Sequence, residues 1–354
     1  MLGVLSDTTK VFTVFLPNNS AFRVSGIPSV AVVNSLPLTS LVPLIQYHII
    51  PGKQYTSADV PTTFPNIQLP SYLTIGMLPG TPLPLNMSTF PSTRPNGFWD
   101  NNIPVVAPDM KFSNGVVHLV AALVSPPSQV LKSAIYSNPN LTYFKAAIAR
   151  ADSGQTGLSK LDSLLGYAVT NMTVLAPSDA AFQTLIFGLA FQGYLNYLKS
   201  LGLTPSATDS ANAFATGNGA VAAGPVFLST NNISTAQVKG IMAYHFLATP
   251  NPNTGAFEPN IRAFSVNFSS TPAFYTTLVN TVYPPQVQPG VLAKATFTTL
   301  GPNISIVTNL QFTGAGTFPP GGAPYSGAAA TATSMDNHCV NGVYYVIDKV
   351  LLPQ

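Results

Sequence analysis

Apolar positions along the chain follow two rhythms. Val11-Phe-Thr-Val-Phe-Leu16, Val116 to Val124 and Val343 to Ile347 are β-branched and aromatic runs of strand length. Between them Leu41, Leu44, Ile45 and His48 fall on one face of a helix, which Pro51-Gly52 ends. Val130, Leu131, Ala134 and Ile135, then Leu141, Phe144, Ala147 and Ile148, repeat at helical spacing, and Leu161, Leu164 and Leu165 predict a further turn. Strands and helices therefore mix along the chain.

Three of these segments occur twice, in the same order. Val11-Phe-Thr-Val-Phe-Leu-Pro-Asn-Asn-Ser-Ala-Phe22 reappears as Asn171-Met-Thr-Val-Leu-Ala-Pro-Ser-Asp-Ala-Ala-Phe182. Tyr47-His48 is matched by Tyr244-His245, and Asn114-Gly-Val-Val-His-Leu-Val120 by Asn341-Gly-Val-Tyr-Tyr-Val-Ile347. A spacing this long means duplicated domains rather than a solenoid. The first segment reads as strand, Pro, polar cap, helix. Asn18 or Asn19, and Ser178 or Asp179, can accept the free N–H groups of the first helical turn. Asn-Gly predicts a turn with positive φ before an apolar strand.

Composition narrows the picture. A chain of 354 residues fits two or three domains. Charged residues make up only 7%, against about 25% in a typical globular protein, so Ser, Thr, Asn, Gln and Pro must form the solvated surface. The net charge of +3 gives no basic stripe and argues against nucleic acid. The 33 prolines and 26 glycines imply many turns, few long helices and no coiled coil. One cysteine, Cys339, excludes an internal disulfide framework and a CxxC site, and beside an apolar run it reads as a small buried hydrophobe, with an intermolecular disulfide as the other reading. No apolar run reaches the roughly 18–20 residues of a membrane span. No signal peptide is visible at Met1-Leu-Gly-Val-Leu-Ser6.

The sequence carries no nucleophile elbow, P-loop, dinucleotide fingerprint, zinc-protease motif or calcium loop. Two of the four histidines, His48 and His245, occupy equivalent repeat positions, which suits one structural role used twice better than a metal site. Asp59, Asp109 and Asp348 read as turn or capping residues. The expectation is a protein that is not an enzyme and needs no cofactor or metal. Seven N-x-S/T sequons occur, where composition alone would give roughly four or five. Asn18 and Asn171 lie in the repeated boxes and are the weaker acceptors; Asn86, Asn140, Asn232, Asn267 and Asn303 are the candidates.

The boxes Thr13–Phe22 and Thr173–Phe182, the Tyr-His pairs with Thr56-Ser57-Ala58-Asp59, and the Asn-Gly strands resemble those of the fasciclin (FAS1) family, which includes fungal surface proteins. The resemblance implies an α+β fold: two tandem domains, each a wedge-shaped β-sandwich with helices packed at one edge. Residues 1–127 would form the first domain. Residues 128–354 would form the second, with inserted loops near 202–232 and 314–337 that read as mobile. Only ten residues precede Val11, where the second copy has helices before its box, so the first domain is expected to be incomplete at its N-terminus. The resemblance further implies a secreted or cell-surface adhesion protein whose partner is a cell-surface protein or a cell-wall or matrix polysaccharide. In animal members the Tyr-His region is implicated in integrin contact; Tyr47, His48, Tyr244 and His245 carry it here, with core packing as the other reading. An alternative function is carriage of a small apolar ligand in a pocket between sandwich and helices.

Overall fold

The computed structural model describes residues 2–78, 80–229, 233–282, 289–320 and 322–354. It is an α+β protein that divides into two compact units. The first comprises Met1–Ser128 with two later segments, Arg262–Phe268 and Thr296–Thr308; the second comprises Gln129–Ile261, Ser269–Ala295 and Asn309–Gln354. Division of the sequence at 127/128 does not anticipate the two later segments, which carry no compositional mark.

In the first unit the strand Phe12–Pro17 lies parallel to Gly115–Val120, with Phe12 opposite Gly115 and Pro17 opposite Val120. Ile49–Pro51 flanks it on one side, and Ile103–Phe112, Gly97–Asp100 and Pro91–Arg94 extend the six-stranded sheet on the other. Leu69–Met77 and Pro84–Thr89 form a separate two-stranded sheet. In the second half of the chain Met172–Pro177 lies parallel to Gly342–Ile347 in the same register, Met172 opposite Gly342 and Pro177 opposite Ile347. Both of these strands are buried at every position, as a parallel pair covered on two faces must be. The duplication is thus present in strand register as well as in sequence.

The Asn-Gly pairs correct one expectation. Neither Asn114-Gly115 nor Asn341-Gly342 adopts a positive φ. A Cβ on Gly115 would lie 2.6 Å from the Phe12 carbonyl oxygen, and one on Gly342 would collide with the Met172 carbonyl oxygen. Glycine is required by close approach of the parallel partner. The asparagines are clamps: Asn114 Nδ2 donates to the Leu5 carbonyl at 2.8 Å, and Asn341 Nδ2 to those of Leu165 and Tyr167 at 2.9 and 3.1 Å. Each ties the strand to the helix that precedes the first box, Leu2–Leu5 or Leu161–Gly166.

The stretch 202–232 is not a plain loop. A capping box, Ser206 with Asp209, opens the helix Ala207–Ala222. It packs on the helix Asp179–Ser200, whose 22 residues depart from the expected scarcity of long helices. The approach is close because residue 217 is glycine: a Cβ there would lie 2.6 Å from the Phe187 ring. Of the stretch 314–337, the later part is the strand Ala330–Cys339. Gly193 and Gly219 differ from Gly217: both are helical, and a Cβ on either meets nothing within 4 Å. Gly193→Ala and Gly219→Ala should each stabilise the second unit by about 0.5–1 kcal/mol, read as a higher melting temperature; a fall for either would show that the glycine is needed for packing.

Candidate functional site

The Tyr-His pairs sit where a helix ends against the first strand of each unit. Leu38–Tyr47 and Thr235–Tyr244 end at His48 and His245, which are 4% and 0% exposed. In both, Nδ1 lies 2.7 Å from a carbonyl oxygen four residues back, Leu44 or Ile241. Nε2 accepts the backbone N–H of Val124 or Leu351 at 3.0 Å. These partners assign the proton to Nδ1 and make both rings neutral. Burial lowers both ring pKa values, that of His245 to about 4. Tyr47 and Tyr244 have no exposed surface. Tyr47 Oη donates to the Ser88 carbonyl and accepts from Asn101 Nδ2; Tyr244 Oη donates to the Gly290 carbonyl and accepts the Ala315 N–H. Buried in this way, the four side chains offer no surface to a partner. Each pair pins the helix end to the sheet and to the chain that leaves the last box.

The caps fall on Asn18 and Ser178, whose side chains accept the N–H of Ala21 and Ala181. Asp179 instead caps the neighbouring helix Thr142–Ala151, accepting from Thr142 Oγ1 at 2.7 Å and Tyr143 N at 2.9 Å. One cluster has the residue types of a hydrolase. Ser57 Oγ donates to Asp109 Oδ2 at 2.5 Å, and His118 Nδ1 lies 3.9 Å from Asp109 Oδ1. The geometry is wrong for nucleophile activation, because the carboxylate holds the serine directly. His118 faces two backbone groups, accepting the Asp109 N–H and donating from Nε2 to the Tyr55 carbonyl at 2.8 Å. With His118 only 1% exposed, the cluster locks the Asp109 backbone, held at φ +61°, to the 3-10 turn Ser57–Asp59.

A buried polar network in the first unit was not legible in the sequence. Asn267 is 3% exposed, and its Oδ1 accepts from Phe264 N and Asn66 Nδ2, each at 2.8 Å. Its Nδ2 donates to Ser92 Oγ at 2.7 Å. Arg94 reaches Asn66 Oδ1 at 2.6 Å, and the Arg262 guanidinium lies 4.3 Å from the Phe90 ring centre. This is how Arg262–Phe268 is seated. A glycan on Asn267 would have to replace the bond from Nδ2 to Ser92 Oγ within this buried network. Asn140 and Asn303 are exposed and Asn86 is half-buried. Asn232 lies outside the described residues. Asp100 is also fully buried: Thr89 Oγ1 donates to its Oδ1, Oδ2 has no hydrogen-bond partner, and burial pushes its pKa up to about 7.

The second unit holds a large open cavity of about 1200 Å³ between the helices Asp179–Ser200, Ala207–Ala222 and Thr235–Tyr244 and residues 315–320, 322–324 and 352–354. Its walls are mostly Ala, Gly, Leu, Ile, Val, Phe and Pro, with Thr216, Gln237, Thr317 and Gln354 as the polar side chains. Among the described residues no Asp, Glu, Lys, Arg or His side chain lines it, and none form a cluster able to hold a metal ion. No helix among them is long and apolar enough to cross a membrane.

No curated protein matches the sequence. Among solved structures, the FAS1 domain pair from the insect cell adhesion molecule fasciclin I is similar over 99% of this chain and 93% of that chain, at 13% identity and a TM-score of 0.34. The family model described as Fasciclin domain matches residues 2–126, a span that holds the first box, the Tyr-His pair and the Asn-Gly strand whose register has just been described. Residues 2–126 thus match the Fasciclin domain model, and the second unit repeats the strand register and internal clamps of that domain.

Proposed function

We propose that the protein is a non-enzymatic adhesion module of the cell surface or extracellular matrix, and that its partner is a cell-surface protein. The observation that carries this reading is the fasciclin domain at residues 2–126. Its sparsely charged, amide- and hydroxyl-rich surface suits an extracellular place, and the Ser57–Asp109–His118 geometry suits structure rather than catalysis. A protein is favoured over a wall or matrix polysaccharide by one apolar stretch. Val24, Val30, Leu38, Val42 and Ile45, in three successive helices of the first unit, are between 40% and 74% exposed. In the second unit the counterpart of half-buried Phe22 is Phe182, which is buried with its ring stacked on Tyr143 of the helix Thr142–Ala151. Exposed aliphatic surface of this kind marks protein contact.

The test uses beads carrying the whole chain, incubated with cells, surface-protein extracts and cell-wall fragments of the source organism. Cells and surface protein should be retained, and Leu38→Asp with Val42→Asp should reduce retention several-fold without altering the fold. Retention no greater than on a charge-matched control protein would overturn the adhesion reading. Retention unchanged in the double variant would overturn the assignment to this face, and retention of wall fragments alone would return the polysaccharide.

A further inference from the structure

We infer that the cavity of the second unit binds one uncharged lipid-sized molecule with a single hydrogen-bonding head, such as a sterol or a long-chain alcohol. The observations are its size, its neutrality and the way it is built. At about 1200 Å³ it exceeds the roughly 300–1,000 Å³ of pockets that take drug-sized ligands. The space is open to solvent along one side, where Gly193, Thr216, Gly219 and Gln237 are exposed, so a ligand can enter it and cover the apolar walls behind them.

Small residues leave the space open: Ala190, Gly193, Gly219, Ala220 and Gly240 all line it. A carboxylate or phosphate head would find no cation among the described lining residues, and an unpaired charge is strongly disfavoured in apolar surroundings. A hydroxyl or carbonyl head is better served. Gln237 Oε1 is taken by Ser234 N at 3.0 Å and Ser234 Oγ at 2.9 Å, which leaves its amide NH₂ to donate. Thr216 Oγ1 donates to the Asn212 carbonyl at 2.8 Å and retains a lone pair to accept. The site is built wholly from residues of the second unit and is independent of the adhesion reading.

The experiment titrates the full chain with dehydroergosterol and with retinol, both neutral and fluorescent, and with cis-parinaric acid as a charged counterpart. The blocking variant is Gly193→Phe with Gly219→Phe, because a Cβ at either helical position meets open space. Ala223→Trp, at an exposed lining position past the helix end, is a second block introduced separately. The expected result is saturable one-to-one binding of a neutral probe, at least tenfold weaker binding of parinarate, and at least tenfold loss in a blocked variant of unchanged melting temperature. Absence of saturable binding by either neutral probe, equal affinity for parinarate, or full binding in a folded blocked variant would each overturn the inference.

Discussion

Trp99→Ala should lower the stability of the first unit by about 3–5 kcal/mol, the range for deleting a large aromatic from a core. The indole is 0% exposed. Its Nε1 donates to the Ser305 carbonyl at 3.1 Å, and its ring lies 6.2 Å from that of Phe297. Gly97 makes the room: a Cβ there would come within 3.1 Å of the indole, and its φ of +149° disfavours any other residue. Ser305 and Phe297 belong to the segment Thr296–Thr308 that completes this unit. Truncation therefore leaves a cavity and also strips a buried carbonyl of its donor. Trp99→Phe separates the two effects: it keeps most of the ring and should cost about 1–2 kcal/mol. Calorimetry or urea unfolding followed by circular dichroism gives the values, since Trp99 is the sole tryptophan and its removal abolishes the fluorescence signal. A cost for Trp99→Ala below 1 kcal/mol would mean that the later segment is not seated as described.

The importance of Trp99 was invisible in the sequence for the reason that governs what was legible. Local physics repeats itself in sequence: an Asn or Ser that caps a helix and a His that must bond the carbonyl four residues back both work over short spans. Thr13 and Thr173 show how far this extends. Their hydroxyls reach the carbonyls of Lys53 and Ile261 at 2.9 and 2.6 Å, so even a longer tie recurs where both boxes are kept. Asn267 shows where it stops. Its sequon, Asn-Phe-Ser, fits the same N-x-S/T pattern as Asn140-Leu-Thr, yet one amide is buried among Asn66, Ser92 and Phe264 while the other residue is exposed. Only the path of the chain decides between them. The helix Ala207–Ala222 is an intermediate case. Its Ala, Thr, Asn and Gly content gives little amphipathic signal, but the Ser206-Ala-Thr-Asp209 capping box was present to be read. The cavity needed the structure, since small residues at 190, 193, 219 and 240 mean nothing until their helices are placed together.

The second unit should lose up to about 3 kcal/mol of stability as pH falls from 6.5 towards 4, through His245 alone. Its folded pKa is lowered to about 4, first by burial and against the Ile241 carbonyl, which favours the charged form. The unfolded chain therefore takes up a proton below about 6.5 that the native state refuses. This contribution is complete above pH 6.5 and is lost progressively down to the folded value. The structural reason is explicit: a proton on Nε2 would face the Leu351 N–H, a donor against a donor. Asp162 and Asp209 in the same unit have pKa values lowered from 3.8, so their own losses fall mainly below this window. The first unit behaves differently. Burial lowers His48 and His118, which adds acid sensitivity, but Asp100 is raised to about 7 and works the other way. Native Asp100 keeps a proton that the unfolded chain releases, so its burial becomes less unfavourable as pH falls from 7 to 4. Hydrogen exchange at pH 7 and 4.5, corrected for intrinsic rates, should show protection of 172–177 and 342–347 falling, while Trp99 emission reports a smaller change in the first unit. His245→Gln should flatten the response of the second unit at the cost of lower stability at pH 7. Equal protection at both pH values, or the same acid response in the Gln variant, would place the sensitivity elsewhere.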